Sequence, residues 1–532
     1  MKPLLLRGGH LYSAQSPFAT SALIAEGRFV WLGDDTAAMA YAEDAQIVDL
    51  QGALVAPAFV DAHVHLTATG LNLTGVDVSD VADADELLRR VGDQVRRHPD
   101  RIVLGHGWDE TTWSNGRVPS RAELDAVAGD TPLYLTRVDV HSALVNTSLV
   151  RSCGDIEHAV GFDPEGPLTQ EAHDQVRMRA LSQVGAEHRE AAQRAALHRA
   201  AAAGIASVHE MGGPVISDAD DLRGALALGR EPDLPEVVGF WGELGAHVYA
   251  QELGAYAAAG DLSVDGAIGS RTACLREVYA DDGVTTGAEY IDVDEATHHL
   301  ASATQMGLPA GFHVIGDRAA DIVVEALERV ERTLGAEAIR RAGHRLEHVE
   351  MLDARHRGVL ARLGVVASMQ PAFDAAWGGL DRMYAQRLGP QRAAPMNDFA
   401  AAAADGVVLA FGSDAPVTPL DPWGGVAAAV HHRTPGQGIS ARAAFAAHTR
   451  GGRRAAGQQA TEPGVIAVDA PATYAVWAPG PLTIQRPDGR VAAWSTDPRS
   501  GTPPLPDLDA GRPECWRTVR AGVTIYDSGA LP

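Results

Sequence analysis

The chain has 532 residues, of which 46% are hydrophobic and 21% are charged, a balance typical of a folded globular protein that excludes a mainly disordered one. The formal net charge of −25 repels polyanions, and the sequence has no basic cluster, so nucleic acid is excluded as a partner. The three cysteines, Cys153, Cys274 and Cys515, are too scattered for a disulfide framework or a CxxC metal motif. Because the sequence contains neither a signal peptide nor an apolar run of about 20 residues, we predict a cytoplasmic protein without a membrane partner.

Both ends of the chain are rich in short predicted strands separated by turns. Residues 1–56 contain three such segments, PLLLRGGHLY, TSALIAEGRFVWLG and AQIVDLQGALVAP. The carboxyl-terminal part contains three more, TYAVWAPG, RVAAWS and TVRAGVTIYDSG. We therefore predict one small β-sandwich domain that is assembled from residues 1–56 and 455–532.

The middle of the chain, residues 57–454, alternates short apolar strands with Ala-rich helical stretches. Eight strand candidates end in polar or Gly-rich turns: 58–65, 204–211, 236–243, 261–268, 308–316, 344–350, 365–371 and 407–414. Eight such units predict an α/β fold of the (β/α)8 TIM barrel type. Two further candidates, RIVLGHGW and PLYLTRVD, lie in a segment at about 70–200 that is too long for a simple crossover. We predict that this inserted segment helps to wall the active site.

Polar residues stand at the ends of several of these strands. FVDAHVH places His63 and His65 on one face of the first strand, because side chains alternate across a strand. The fifth strand carries His313, the sixth His348 and the eighth Asp414. The strands of a TIM barrel share one mouth at their carboxyl ends, so these residues are expected to meet there. Four imidazoles and a carboxylate suit Zn²⁺ or a similar cation with an open position for water.

Motifs along almost the whole chain form one recognisable set. They include FVDAHVH (59–65), GWDETTW (107–113), GIASVHE (204–210), DGAIGSRTA (265–273), FHVIGDRAAD (312–321), RLEHVEML (345–352) and FGSDAPVTPLDP (411–422). This set resembles the amidohydrolase superfamily and, within it, amidohydrolase family 3, the YtcJ-like group that includes N-substituted formamide deformylases. The resemblance implies a metal-dependent hydrolase and says little about its substrate.

The resemblance also implies a role for each strand-end residue. His63 and His65 would hold the more buried metal together with Asp414, and His313 and His348 would hold the more exposed one. Asp414 would in addition be the general base that takes a proton from a metal-activated water, and His348 would help to stabilise the oxyanion. One or two ions per chain, zinc or another divalent transition metal, are therefore expected.

The chain departs from the family at the fourth strand. The family usually has a metal-bridging lysine four residues before the DG of DGAIGSRTA, and this chain has Asp261 there. Asp261 can offer carboxylate oxygens and is itself a possible metal ligand. Its side chain is several bonds shorter, however, and it could not span two ions about 3.5–4 Å apart unless the strand moved inward. Three alternatives follow, in order of preference: a single metal suffices, Glu243 at the end of the third strand replaces the bridge, or the site is degenerate and the protein is not catalytic.

Three residues are candidates for contact with the substrate. Arg271 has a fork of donors that suits a carbonyl or carboxylate, and a structural salt bridge explains it equally well. His141 belongs to the inserted segment and resembles a pocket residue of the family. Trp108 would form an apolar wall, although a tryptophan is more often part of the core.

We therefore predict a metal-dependent hydrolase that cleaves a C–N bond of an amide, N-acyl or N-formyl compound. One alternative is a hydrolase of cyclic amides or lactones, and another is a non-catalytic ligand-binding or regulatory protein on the same fold. The predicted partner is a small-molecule substrate. A homodimer is expected from the resemblance alone.

Overall fold

The computed structural model describes residues 2–97, 102–485, 494–495 and 502–531. The strands of these residues are, in chain order, β1 (Leu4–Arg7), β2 (His10–Leu11), β3 (Ser21–Ala25), β4 (Arg28–Gly33), β5 (Gln46–Asp49), β6 (Leu54–Pro57), β7 (Phe59–Val64), β8 (Val76–Asp77), β9 (Val103–Trp108), β10 (Leu133–Arg137), β11 (Ser142–Val145), β12 (Leu168–Thr169), β13 (Ile205–Gly212), β14 (Glu236–Trp241), β15 (Gly311–Val314), β16 (Arg345–His348), β17 (Val366–Met369), β18 (Val408–Phe411), β19 (Tyr474–Trp477), β20 (Leu482–Gln485), β21 (Trp494–Ser495), β22 (Leu505–Pro506), β23 (Cys515–Arg520) and β24 (Val523–Asp527).

The helices of the same residues are α1 (Asp35–Ala38), α2 (Leu66–Thr74), α3 (Ala84–Arg97), α4 (Arg121–Ala128), α5 (Thr147–Arg151), α6 (Gln170–Leu181), α7 (Ala186–Ala202), α8 (Ala219–Leu228), α9 (His247–Leu253), α10 (Val293–Met306), α11 (Asp317–Leu334), α12 (Ala336–Ala342), α13 (Ala354–Leu363), α14 (Pro371–Trp377), α15 (Met383–Leu388), α16 (Pro390–Ala393), α17 (Phe399–Ala404), α18 (Pro422–Val430), α19 (Ala441–Ala446) and α20 (Gly452–Ala455). None of the helices in the described ranges combines the length and the apolar character that a membrane span requires.

Strands from the two ends of the chain pair with one another. β6 runs antiparallel to β19, with Val55 opposite Val476, and the sheet order is β2-β6-β19-β23-β24. A second sheet, of order β4-β3-β1-β5, comes from the amino-terminal part alone. Phe29 of this second sheet packs against Tyr474 of the first, with ring centroids 5.7 Å apart, and both belong to one hydrophobic cluster. The strand predicted at 490–495 falls mostly outside the described residues.

In the middle of the chain, parallel strands follow one another in chain order. β7, β13 and β14 form one sheet, β15 to β18 form another, and every neighbouring pair is parallel. Two isolated parallel bridges, Phe240–Ala257 and Ala258–Ala310, connect the two sheets through the segment between β14 and β15. A third, Val64–Ala415, connects the residues after β18 to β7. The parallel pairings therefore return to the strand from which they start, and the carboxyl ends of these strands lie on one side.

The prediction of a strand at 261–268 is wrong. The other predicted strands of this region are present as β7 and β13 to β18. Gly260 has a φ of +84°, which interrupts the extended backbone before the predicted strand begins. Within the segment, whose residues are all described, one bridge joins Ser263 to His313. Instead of a ladder, the Asp265 carboxylate accepts hydrogen bonds from three distant backbone N–H groups: those of Cys274, Ile315 and Gly316.

The helices that cover the parallel strands carry clear start and stop signals. α10 is preceded by Asp292, whose carboxylate forms a capping box with Glu295, and it is followed by Gly307, which has a φ of +69°. Its buried Leu300 belongs to the same large hydrophobic cluster as Phe312 of β15. Local capping and the apolar helix face therefore agree in placing this helix against the strands.

The inserted segment at about 70–200 forms a small sheet of its own, of order β12-β11-β10-β9-β8. The two strands predicted there correspond to β9 and β10. One hydrophobic cluster packs around Leu87 and Trp108, and a second packs around Leu149 and Val176. The segment is thus a folded unit rather than a long loop.

Candidate metal centre and catalytic site

Six buried side chains converge at the carboxyl ends of the parallel strands: His63, His65, Asp261, His313, His348 and Asp414. The two histidines of FVDAHVH lie at the end of β7, and two more lie on β15 and at the end of β16. One aspartate follows β18, and the other lies in the irregular segment that replaces the predicted fourth strand. Side chains from five places in the sequence thus meet at one point.

The Asp261 carboxylate lies in the centre of this group. Its Oδ2 atom is 3.1 Å from His65 Nε2. Its Oδ1 atom is 3.5 Å from one ring nitrogen of each of the other three histidines: His63 Nε2, His313 Nδ1 and His348 Nε2. Ligand atoms around a tetrahedral Zn²⁺ with bonds of about 2.0–2.1 Å are about 3.3 Å apart. The observed spacing is therefore that of atoms which share a cation.

Three buried atoms of the group have no hydrogen-bond partner among the described residues: His63 Nε2, Asp261 Oδ1 and Asp414 Oδ1. Asp414 Oδ1 is 3.4 Å from His63 Nε2 and 3.2 Å from His65 Nε2. Buried polar atoms are normally satisfied, and ring nitrogens with carboxylate oxygens are the donors that divalent transition metals prefer. The residues present therefore fit a metal ion.

The second nitrogen of each histidine ring is held by an acceptor. Nδ1 of His63 is 3.0 Å from Glu347 Oε2, and Nδ1 of His348 is 2.9 Å from Gln370 Oε1. The other two rings contact backbone oxygens: His65 Nδ1 with Met211 O at 3.2 Å and His313 Nε2 with Gly266 O at 3.2 Å. Such partners fix the orientation of metal-binding histidines and direct the free nitrogen toward the ion.

Glu347 is itself fixed by a buried arginine. Arg345 donates from Nε and Nη2 to the two oxygens of Glu347, at 2.6 and 2.8 Å. Burial raises the pKa of Glu347, but Arg345 and His63 lower it, so that the net pKa is about 2. His63 therefore faces a carboxylate that stays ionised.

The carboxylates also control protonation of the histidines. Burial lowers the pKa of His63, but Asp261 and Asp414 raise it, and the net pKa is well above the ordinary value. The same contributions raise the pKa of His65 to about 9. Burial raises the pKa of Asp261, yet the surrounding histidines hold it well below its usual range. A divalent cation that binds here takes the place of these protons.

Two residues of the group have a left-handed backbone. The φ angles are +67° at His348 and +55° at Asp414, values that are uncommon for residues other than glycine. The turn at Asp414 is held by β7, since Asp414 N donates to His63 O at 2.8 Å and His65 N donates to Ala415 O at 2.8 Å. Backbone strain of this kind is often retained at functional sites.

Asp261 belongs to the group, whereas Glu243 lies outside it, and its role as a ligand stays a prediction. The argument against Asp261 as a bridge assumed a regular strand, and the irregular course of 261–268 removes that assumption. The Glu243 carboxylate accepts a hydrogen bond from Trp241 Nε1 at 2.6 Å, and Glu243 is in none of the three ligand groups found among the described residues.

Arg271 and Trp108 make structural contacts, and their contact with the substrate stays a prediction. Arg271 forms a two-fold salt bridge with Asp281, at 3.1 and 2.7 Å. Trp108 is buried in the inserted segment, where its indole N–H donates to Leu135 O at 3.0 Å. His141 does face the site, with its ring centroid 5.2 Å from that of His313.

A cavity of about 510 Å³ opens onto the group. Its wall is largely apolar, with Leu71, Leu104, Leu181, Ile216, Leu262 and Ile291 among its residues. Its polar residues include Tyr134, His173 and Arg177 of the inserted segment, which the sequence reasoning missed because they belong to no motif. The i, i+4 spacing of His173 and Arg177 on α6 is the signal that could have indicated them.

Comparison with known proteins identifies the family. Residues 46–526 match the sequence model of the amidohydrolase family. The chain belongs to the amidohydrolase family. This amidohydrolase is 28% identical to protein LONG AFTER FAR-RED 3 of Arabidopsis thaliana, over 85% of this chain and 83% of that protein. It is 27% identical to YtcJ of Bacillus subtilis, over 72% and 74% of the two chains.

Two further matches agree with this assignment. The amidohydrolase is 25% identical to the N-substituted formamide deformylase of Arthrobacter pascens, over 70% of this chain and 73% of that protein. Among solved structures, an uncharacterized metal-dependent hydrolase from Pyrococcus furiosus is 26% identical, with a TM-score of 0.69 over 89% of this chain and 98% of the other. The predicted resemblance to the YtcJ-like amidohydrolases is confirmed, and the protein is a metal-dependent hydrolase of this superfamily.

Proposed function

We propose that this amidohydrolase hydrolyses a C–N bond of an amide, N-acyl or N-formyl compound. The observation that carries the proposal is the set of unpartnered buried atoms, His63 Nε2, Asp261 Oδ1 and Asp414 Oδ1, beside a cavity of about 510 Å³. The name of one relative, an N-substituted formamide deformylase, supports the type of bond.

In this proposal, His63, His65 and Asp414 would hold one divalent ion, His313 and His348 would hold a second where two are bound, and Asp261 would contribute carboxylate oxygens. Zinc is the ion that the donor set favours. A divalent ion bound here supplies a Lewis acid that polarises the scissile carbonyl and makes water more acidic. The buried protein groups keep the site dry and the histidines oriented.

Asp414 is the residue that we assign as the general base. It borders a small recess beside the cavity together with His141 and His348. Its carboxylate takes a proton from the attacking water and passes it to the leaving nitrogen. We assign His348, on the same recess, to stabilisation of the oxyanion.

The proposal includes the architecture that positions these residues. The ring of parallel pairings that closes through Val64 and Ala415 supports a (β/α)8 barrel at 57–454. The pairing of β6 with β19 supports a separate β-sandwich domain of 1–56 and 455–532. The cavity supports a small-molecule substrate, and the homodimer and the cytoplasmic location stay predictions.

The test is elemental analysis together with hydrolysis assays on protein purified without chelators and without a polyhistidine tag. We expect about one or two divalent transition-metal ions per chain and hydrolysis of members of a panel of formamides, acetamides, lactams and lactones. His63→Ala should lose metal and activity together, because it removes an unpartnered ligand atom.

His431→Ala is the matched control, since His431 is an exposed histidine paired with Asp509 at 3.3 Å. It should leave metal content and activity unchanged. Protein that binds no metal even after reconstitution would contradict the proposal and favour a ligand-binding role. Cleavage of lactones without cleavage of any amide would contradict the assignment to C–N bonds.

A further inference from the structure

A cationic side chain lies in the same cavity as the metal group. Arg177 of α6 lines this cavity together with His65, Asp261 and His313. It comes from the inserted segment, and the proposed reaction assigns it no role. Its position raises the question of what its charge binds.

Backbone oxygens, and not carboxylates, hold the Arg177 guanidinium. Nη2 donates to Val140 O at 2.5 Å, and Nη1 donates to Val215 O at 3.3 Å. No carboxylate in the part of the chain that the structure describes forms an ion pair with it. Asp174, one turn earlier on α6, instead has its Oδ1 atom 3.9 Å from His173 Nδ1. Asp174 and Asp261 act on the guanidinium from a longer distance and help to raise the pKa of Arg177. The positive charge of Arg177 is therefore offset in part, and no carboxylate of the described residues is in contact with it.

Two other arginines in the interior are paired with acids. Arg345 meets Glu347 at 2.6 Å, and Arg387 meets Asp281 at 2.7 Å. A cation that is partly withdrawn from water and has no counter-charge in contact costs free energy. An anionic group of a ligand removes that cost, and a carboxylate matches the planar fork of a guanidinium.

The other polar groups in this part of the wall add no second cation. Tyr134 OH is 3.0 Å from His173 Nε2, and the Tyr134 hydroxyl also neighbours the guanidinium. Burial, reinforced by the charge of Arg177, keeps the pKa of His173 well below the ordinary value. The His173 ring is therefore a neutral hydrogen-bonding group beside the positive charge of Arg177.

The remaining acids of the wall are engaged elsewhere. Glu243 accepts from Trp241 Nε1 at 2.6 Å, and Glu295 accepts from the backbone N–H of Asp292 at 3.0 Å. Asp261 belongs to the metal group. Asp174 also lines the cavity. Among the described residues, none of these carboxylates forms a salt bridge with Arg177, which lines the cavity itself.

A strained backbone residue fixes Arg177 relative to the metal group. Val140, whose carbonyl accepts from Arg177, has a φ of +52°, which is an outlier for a β-branched residue. Its N–H donates to Arg137 O at 2.9 Å. The next residue is His141, whose ring lies 5.2 Å from that of His313. The strained turn at Val140 thus positions both the Arg177 guanidinium and the His141 ring, which lies beside the metal ligand His313.

We propose that Arg177 binds a carboxylate of the substrate, so that the substrate is an amide that carries a carboxylate on an apolar body. The apolar wall, with Leu104, Leu181, Ile216 and Leu244 among its residues, takes up that body while the amide lies at the metal group. The inference rests on the proposed function for the bond that is cleaved. The anion site itself does not depend on it.

The test is isothermal calorimetry of the metal-loaded protein with two unreactive probes of the same shape, 4-phenylbutanoate and 4-phenylbutan-1-ol. We expect the carboxylate to bind at least about tenfold more tightly, as is typical of a hydrogen bond to a charged group. Arg177→Gln removes the charge but keeps N–H donors for the two backbone oxygens, and it should abolish the preference.

Arg179→Gln is the matched control, because Arg179 lies on the same helix and donates outward to Ser152 Oγ at 3.2 Å. It should keep the preference. Equal binding of the two probes to the wild type would overturn the inference. A preference that survives in Arg177→Gln and vanishes in His63→Ala would do the same, because the carboxylate would then bind at the metal group.

A second measurement keeps the inference testable if Arg177→Gln does not fold. Phenylglyoxal modifies arginines, and mass spectrometry of the wild type locates the modified residues. We expect 4-phenylbutanoate to protect Arg177 and the alcohol to leave it reactive. Equal modification with both probes would contradict the anion site.

Hydrolysis of 4-formamidobenzoate and of formanilide then separates this inference from the proposed function. We expect kcat/KM to favour the carboxylate at least about tenfold in the wild type and not in Arg177→Gln. An Arg177-dependent probe preference without hydrolysis of any amide contradicts the proposed function alone. Hydrolysis with no preference for the carboxylate contradicts this inference alone.

Discussion

Asp261 is the residue on which the character of the metal group depends most. Its two oxygens lie 3.1–3.5 Å from ring nitrogens of four histidines, a position that the family usually fills from a longer lysine side chain. Gly260, with its φ of +84°, and the irregular backbone after it allow a short aspartate to occupy this centre. A carboxylate there offsets part of the positive charge of a bound divalent ion.

Replacing Asp261 by Asn tests this position at the residue scale. We expect Asp261→Asn to lower the affinity for metal by about 10–100-fold or more, because a neutral amide takes the place of the central carboxylate. Elemental analysis after dialysis against a weak chelator would measure the loss.

Glu243→Gln makes the same acid-to-amide change in the cavity wall, outside the metal group, and should leave metal content as in the wild type. If the two variants retained equal amounts of metal, the central role of Asp261 would be ruled out. If Glu243→Gln alone lost metal, Glu243 would be the bridge after all.

At this scale, the sequence predicted most of the group and missed what depends on backbone course. His63, His65, His313, His348 and Asp414 each stand at the end of a strand and within a motif, so two independent signals pointed to them. Glu347 lies within the motif RLEHVEML and Gln370 directly follows β17, but neither was predicted as a site residue. Their role in orienting two of the rings depends on contacts between strands, which sequence spacing does not show.

Among the elements, the inserted segment is joined to the rest of the molecule by buried charges. Arg137 at the end of β10 is only 2% exposed and contacts Asp109, Glu110 and Asp139 at 2.8–3.0 Å. Asp139 also accepts a hydrogen bond at 2.8 Å from the hydroxyl of Ser270, a residue outside the segment. The cavity wall that carries Tyr134, His141 and Arg177 is therefore tied to the loop after the irregular fourth segment.

Substitution of Arg137 by Met should destabilise this connection strongly. Removing one side of a buried charge cluster leaves carboxylates without a counter-charge, and we expect a loss of about 3–5 kcal/mol in the free energy of unfolding. Denaturant unfolding would measure it.

Arg117→Met is the control, because Arg117 is an exposed arginine of the same segment whose side chain is 42% exposed. We expect it to cost less than about 1 kcal/mol. Similar losses in the two variants would show that the Arg137 cluster is no stronger than a surface pair.

Element prediction succeeded where one physical signal dominated and failed where two competed. β17 and β18 are short, largely apolar runs, and the pattern located both. The stretch 261–268 (DLSVDGAI) contains four apolar residues, but the Asp265 carboxylate accepts hydrogen bonds from three backbone N–H groups elsewhere. Side-chain hydrogen bonds to distant backbone override strand propensity, and sequence spacing does not show them.

For the whole molecule, neutral histidines in the interior link stability to pH. Burial lowers the pKa of His299 to about 3 and that of His344 to about 4. His344 is 1% exposed and accepts from Ala310 N at 3.0 Å. A folded pKa below the unfolded value of about 6.5 gives stability that is present above about pH 6.5 and lost as the pH falls toward 4.

Replacing His344 by Asn should make stability less sensitive to acid. Between about pH 7 and pH 5, we expect the wild type to lose about 2 kcal/mol more of its free energy of unfolding than His344→Asn does. Unfolding in denaturant at a series of pH values would measure the difference.

His431→Ala, which removes an exposed histidine, should leave the pH dependence as in the wild type. An unchanged slope in His344→Asn would mean that this ring does not take up a proton on unfolding in that range. The buried neutral state of His344 would then be contradicted.

The pairing of β6 with β19 has a consequence for how the protein is made. Val55 finds its partner Val476 only after the ribosome has added about 420 more residues, which takes about 20–80 s at about 5–20 residues per second. Throughout that interval, one edge of β6 is an open template for other strands. The first part of the chain to be synthesised is thus the last to be completed, and a nascent chain has to be kept from its neighbours until its own carboxyl end arrives.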